Sequence, residues 1–519
     1  MVDSATARSE GSEKPGRAQA RLRTAYVLGV VIPSALLATY SIRYHEAWCD
    51  EAQTLLLGRH LRWSEMIHAL RLEGAPPFYH LLNRFLCLFA APPVALALAG
   101  TIGYATLLVG TLHLLRIVSG RPRASLVGML LLAVTNVYVY ELGVISRPYG
   151  LGMGLILLGI AELLAAHRLQ RPRRAVFGAL FCGFAAMTSA HAGCVAGAAL
   201  ASYALVQLVC RRSLRAALPT LAALPFFLFL FYLISPNPER EPGTAISHNP
   251  HLLHAWSTAT RVIGDGAIVY GWWAPPRFSF WAQDHVYPPF LAAMVTIALL
   301  AIRRRWHDRT IAYFVFGLML LSWSTLLYIF IAWYAGVCRH HLFLWIPAIV
   351  LALGSLLGLR KRGARQAIVP ALAVALWAPW WVYQVWVLEI DLVADYSRSL
   401  TDTKAMAALV PKDAHVVSDH DYSILGMLLW RDDITLRTPD SLGRTFKYLT
   451  VDQQWHHRVG LERILRETCA VAPDRTMFVL NSSAPVSLGP CLRPIRRGSG
   501  TIPTERASLF QIDCACLLK

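Results

Sequence analysis

From Ala25 to Val387 the chain alternates long apolar runs with short clusters of arginine. An α-helix needs about 20 consecutive apolar residues to cross the hydrocarbon core of a bilayer. Basic residues gathered at one side of such runs mark the cytoplasmic loops. The clusters fall at Arg17–Arg23, Arg116–Arg123, Arg168–Arg174, Arg211–Arg215, Arg303–Arg309 and Arg360–Arg365. Placing all of them on the cytoplasmic side gives a consistent weave of about eleven crossings, with twelve or thirteen left open. The predicted crossings are Ala25–Ile42, Val94–Leu115, Ser125–Ile145, Tyr149–Ala166, Ala175–Ala190, Ala192–Val209, Ala216–Ile234, Val286–Ile302, Thr310–Tyr334, His341–Leu359 and Gln366–Val387. Pro77–Ala91 is apolar but too short to cross, and reads as a short or interfacial helix.

The weave predicts a multi-pass α-helical membrane protein in the plasma (inner) membrane. Residues 1–24 form a cytoplasmic tail, 25–387 the membrane domain, and 388–519 an extracytoplasmic domain. The first apolar run follows a long segment carrying acids as well as bases, which reads as a retained helix and not a cleaved signal peptide. A charged fraction of 15% against 55% hydrophobic residues fits this class. The formal charge of +18 is spent mostly in the loop clusters, so it indicates topology and no nucleic-acid partner.

The outer loops, 43–76 and 235–286, hold the unusual chemistry. The first contains "WCDEAQ", in which Asp50 and Glu51 stand side by side in an otherwise basic and apolar chain. Its apolar residues (Leu55, Leu56, Leu61, Met66, Ile67, Leu70) predict amphipathic helices lying on the membrane, with the carboxylates held at the lipid surface. The third crossing closes on "YELGVISRPYG", bringing Glu141, Arg147 and Tyr149 to the outer edge. The ninth is followed by "YAGVCRHH", which adds Arg339, His340 and His341. Arg147 and Arg339 run against the inward bias of the other basic residues. Two guanidinium groups on one face suit a phosphate, which they bind bidentately. In the second outer loop, Trp272, Trp273, Phe280 and Trp281 suit an aromatic belt at the membrane interface.

Four stretches resemble the polyprenyl-phosphate-dependent glycosyltransferases of the GT-C superfamily, in the branch of protein mannosyltransferases and lipid A aminoarabinose transferases. They are "DEAQTLLLGRH" from Asp50, "LEGAPPFYHLL" from Leu72, "SRPYGLG" from Ser146 and "CRHHLF" from Cys338. The resemblance implies an enzyme that moves a sugar from a polyprenyl-phosphate donor to an acceptor at the outer face, with inversion. It implies Asp50 as the catalytic acid–base residue, with Glu51 organising the site. Glu73 falls near the donor phosphate or a divalent metal ion, and Arg147, Tyr149, Arg339 and His340 fall at the donor phosphate. Ala75 departs from the pattern where relatives in this branch carry His, which puts any role needing that imidazole in question. The metal, the sugar and the acceptor are left open.

Beyond Asp391, "HVVSD", "ITLRT", "TMFVL" and "ASLFQID" read as short strands, and Ser399–Leu409 and Leu461–Thr468 as helices, giving a small α/β domain. Its Cys469, Cys491, Cys514 and Cys516 suit two disulfides in an oxidising compartment, with the pairing open among three arrangements. A transporter or lipid flippase is the rival class. It would place ionisable groups near the bilayer midplane between repeated halves, whereas His113, Glu141 and Glu162 lie toward the ends of their runs. A noncatalytic scaffold would leave the acidic pair and the outer arginines without a shared purpose.

Overall fold

The computed structural model describes residues 15–45, 47, 49–73, 75–135, 137–234, 342–358, 404–418, 425–437, 461–480, 490–496 and 508–518, and of Asp50, Glu73 and Glu141 the backbone alone. The predicted crossings Val286–Ile302, Thr310–Tyr334 and Gln366–Val387, the second outer loop, Arg339 and His340 lie outside these residues.

The first part of the chain is helical: α1 (Pro15–Tyr44), α2 (Cys49–His60), α3 (Trp63–Glu73), α4 (Phe78–Leu86), α5 (Pro92–Ser119) and α6 (Pro122–Ala133). A π-helix over Val137–Val144 follows, then α7 (Tyr149–Leu169), α8 (Pro172–Ala186), α9 (Ala190–Arg211), α10 (Leu214–Ala217), α11 (Leu224–Ile234) and α12 (Leu342–Leu357). Pro at the first turn starts α5, α6 and α8, where its missing N–H costs no helical hydrogen bond. Gly120 ends α5 in the left-handed conformation at φ 65°. Among the described residues five helical segments are long and apolar enough to cross a membrane: Gln19–Tyr44, Pro92–Ser119, Tyr149–Leu169, Ala190–Val209 and Leu214–Ile234.

Helix α7 is the buried axis of the bundle, packed between α5 and α8. It approaches α5 closely because small residues meet there: a Cβ on Gly110 would lie 2.5 Å from the Gly154 carbonyl oxygen. The C-terminal ends of α5 and α7 meet as well, where His113 Nε2 lies 2.8 Å from Glu162 Oε1 and Arg174 of α8 stands 3.7 Å from Glu162 Oε2. The clusters Arg116–Arg123 and Arg168–Arg174 therefore share one end of the bundle, and the first loop with Glu51 occupies the other.

Two expectations need correction. The predicted crossing Ser125–Ile145 is not one regular helix. Helix α6 stops at Ala133, whose carbonyl accepts from the buried Tyr104 hydroxyl at 2.6 Å, while Thr135 Oγ1 donates to Leu132 O at 2.7 Å. Side-chain hydroxyls thus occupy the carbonyls that a continuing helix would use, and the chain resumes as the π-helix. The first loop also does not lie on the membrane by its apolar face. Leu55, Leu56, Leu57, Met66 and Leu70 are buried inside the protein, against α4, α5 and the C-terminal region. By contrast, α4 is the short helix that Pro77–Ala91 predicted, its first turn tied down by Phe78 N–H donating to Met187 O at 3.0 Å.

Among the described residues the C-terminal region carries a five-stranded mixed sheet in the order β2-β1-β3-β5-β4. The strands are β1 (His415–Ser418), β2 (Thr435–Arg437), β3 (Thr476–Leu480), β4 (Leu492–Arg496) and β5 (Ser508–Ile512), with β1 parallel to β2 and β3, and β5 antiparallel to β3 and β4. Helices α13 (Leu461–Val471) and α14 (Cys514–Leu518) accompany it. The pairing left open by the sequence is Cys469–Cys514 and Cys491–Cys516.

Candidate functional site

The site is built where the first loop meets the chain following the π-helix. Asp50 and Glu51 fall in the first turn of α2, where the positive end of the helix dipole favours carboxylates. Glu51 is completely buried, and both of its oxygens lie 3.0 Å from His45 Nε2. The backbone N–H of Ser146 donates to Glu51 Oε1. A carboxylate is buried at tolerable cost only when donors surround it, and these two donors come from before and after the whole first half of the bundle.

Ser146 is the keystone of this arrangement. Its hydroxyl donates to Leu96 O of α5 at 2.6 Å and therefore accepts, at 2.9 Å, from the buried Tyr79 hydroxyl of α4. The residue thus joins α2, α4 and α5 through one side chain and one backbone amide. Gly150, at the start of α7, sits so close to the π-helix that a Cβ there would collide with the Leu142 carbonyl. This contact fixes the turn that presents Ser146 and Arg147.

Arg147 stands beside the keystone, with Nη2 3.3 Å from Tyr149 Oη and its guanidinium carbon 5.6 Å from the Tyr149 ring centre. His80 of α4 is buried nearby. Burial, against a hydrogen bond to the Pro76 backbone and with Arg147 adding to the fall, lowers its pKa to about 4, so it is neutral at pH 7. Burial likewise pushes the Tyr79 phenol well above its usual range. The Arg147 charge is thus set beside the neutral Tyr79 and His80, and both it and the Glu51 carboxylate act on the Tyr79 hydroxyl.

The structure brings Glu51, Arg147 and Tyr149 into one region. It places Asp50 and Glu73 by backbone only, at the start of α2 and the end of α3, and Arg339 and His340 lie outside the described residues. Among the described residues no group of three His, Cys, Asp or Glu side chains forms a metal cluster. Sequence reasoning missed His45, Tyr79, His80 and Ser146. The last three sit inside the stretches "PPFYHLL" and "SRPYG", where polar residues interrupt apolar surroundings, and that interruption was the available signal.

A polar site at one end of an apolar helical bundle, beside a small mixed sheet, defines a multi-pass helical membrane protein, and its fold is the GT-C fold of the solved structures it is similar to. The chain is similar to ArnT from Cupriavidus metallidurans bound to undecaprenyl phosphate, with a TM-score of 0.55 at 15% identity over 96% of this chain and 99% of that one. The apo form of the same ArnT gives a TM-score of 0.51 at 14% identity, covering 95% and 99%. The oligosaccharyltransferase of Archaeoglobus fulgidus is similar over 87% of this chain and 67% of that one, at 12% identity and a TM-score of 0.46. No protein-family profile matches the chain, and no curated protein matches it in sequence.

Proposed function

We propose that this protein is an inverting membrane glycosyltransferase that moves a sugar from a polyprenyl-phosphate donor to an acceptor at the outer face of the plasma membrane. The observation that carries the proposal is the buried Glu51–Ser146 junction with Arg147 beside it, at one end of a bundle whose fold is that of an ArnT bound to undecaprenyl phosphate. In this reading the bundle has about eleven crossings, a cytoplasmic N-terminus and an extracytoplasmic C-terminal domain.

The chemistry divides among the residues. Asp50 takes the proton of the acceptor hydroxyl as that oxygen attacks the anomeric carbon. The bond from the anomeric carbon to the phosphate oxygen breaks on the opposite face, and the electron pair leaves with the polyprenyl phosphate. That group needs cations more than a proton, and Arg147 and Arg339 supply them, with Tyr149 and His340 holding the phosphate beside them. Glu51, with its oxygens already accepting from His45 and Ser146, is the organiser and not the base. Glu73 stands near the phosphate end. A polyprenyl tail stays in the bilayer, which is why the reacting groups belong at the end of a membrane bundle.

The test is transfer of radiolabelled sugar from a panel of polyprenyl-phosphate sugars by the purified protein in lipid nanodiscs, with candidate glycan, lipid and peptide acceptors. Labelled product of inverted anomeric configuration supports the proposal. Absence of transfer across the panel, with the protein folded and the donors bound or unbound alike, overturns it.

A further inference from the structure

We infer that the C-terminal domain is a positioning element of the site, holding helix α2 in register through Arg59 and Asp432. As a statement about catalysis this rests on the transferase reading; as a statement about α2 it stands alone.

Twelve residues are too few for a stable isolated helix, so α2 takes its order from what covers it. One side packs against α3 through Leu57, Leu61 and Met66. The other shares a core with the C-terminal domain: Ala52, Leu55 and Leu56 cluster with Met427, Leu428 and Leu429 of the 3₁₀ turn Leu425–Leu429. Apolar contact supplies adhesion but little directional control. Direction comes from Arg59, in the last turn of α2, whose Nη1 and Nη2 donate to Asp432 Oδ1 and Oδ2 at 3.0 and 2.7 Å. A parallel two-bond fork fixes orientation as well as distance. With a rise of about 1.5 Å per residue, Arg59 and Glu51 are about 12 Å apart along the axis. The helix is thus held at one end by Ser146 and at the other by the domain.

The Asp432 turn is itself built to be rigid. Its neighbour Arg431 donates to both Asp433 oxygens at 2.7 Å, to Ala407 O and Val410 O at 2.9 Å, and to Pro411 O at 3.0 Å. The Asp413 backbone N–H donates to Asp433 Oδ2 at 3.0 Å. Such a scaffold around a partly exposed aspartate is more than an isolated surface ion pair provides, since those contribute little by themselves.

The joint carries its own reporter. Cys87, just past α4, packs against the shared core; burial pushes its thiol up, with Arg59 and Asp432 the charges that act on it.

The experiment compares wild type, Arg59→Asp, Asp432→Arg and the double swap as full-length protein in nanodiscs, with Cys87→Ser as the labelling blank. Three readouts are taken: maleimide labelling of Cys87, hydrogen exchange of the 51–60 amides, and transfer kinetics. Like charges opposed at the joint raise Cys87 labelling and α2 exchange by about tenfold or more, and lower kcat by about 10- to 100-fold with KM for the donor little changed. The double swap restores all three. Unchanged labelling and exchange in the single reversals overturn the clamp, and raised labelling with unchanged kcat overturns its positioning role. If wild type transfers no sugar, the transferase reading fails, and labelling and exchange alone decide the clamp.

Discussion

Replacing Glu51 by Gln keeps the shape of the side chain and removes its charge, which isolates the organising role assigned to it. The carboxylate accepts from His45 Nε2 and from the Ser146 backbone N–H. Gln can offer its carbonyl oxygen to Ser146, which exchanges one charge-assisted hydrogen bond for a neutral one at a cost of about 1 kcal/mol. Its amide then faces His45 as a donor. To accept, a neutral His45 must carry its proton on Nδ1, which is buried without a hydrogen-bond partner among the described residues, at a further cost of about 1 to 3 kcal/mol. The total of about 2 to 4 kcal/mol corresponds to a loss of about 30- to 1000-fold in kcat/KM if it falls on the active arrangement. The assay is transfer from a polyprenyl-phosphate sugar across pH, with thermal unfolding measured in parallel. If Asp50 is the base, as proposed, the acidic limb of the pH–rate profile should survive in Glu51→Gln at reduced height. A variant within threefold of wild type, or one that loses the acidic limb while Asp50→Asn keeps it, would refute the division of roles.

Three further outcomes follow from the geometry. The folded-state pKa of His80 is lowered from 6.5 to about 4, so its contribution is fully present above pH 6.5 and declines as the pH falls toward 4. The acid loss, about 3 kcal/mol if the whole shift is realised, should flatten in His80→Asn when stability is followed by thermal unfolding. Gly150→Ala should displace the π-helix at Leu142 and destabilise the protein by about 1 to 3 kcal/mol, seen as a lower Tm together with slower transfer. Loss of the Cys469–Cys514 bridge, which spans 45 residues, should cost about 4 kcal/mol and make the C-terminal domain protease-sensitive while the membrane helices stay resistant.

The helices and the small sheet were legible because their signals are local. Apolar runs and prolines at first turns mark the bundle, and strands such as "TMFVL" are short apolar runs with strong β-formers. The strand β4 was missed because Pro494 sits within it; among the described residues it pairs with β5 alone, at the sheet edge, where a missing N–H is tolerated. The acidic pair was legible as unusual, but not its burial, because the donors that permit it are supplied by residues 6 and 95 positions away. Periodicity in α2 could not say what covers its apolar face. Its partner there is a turn whose Asp432 lies 373 positions from Arg59, and no local pattern encodes such a contact.

The most direct test of the account is a single-turnover transfer from a bound polyprenyl-phosphate sugar by wild type and by Asp50→Asn, with donor affinity measured separately for each. The account predicts unchanged donor binding and a transfer rate lower by about 100- to 10,000-fold in the variant, as expected when a general base is removed. Transfer by Asp50→Asn at the wild-type rate would contradict it.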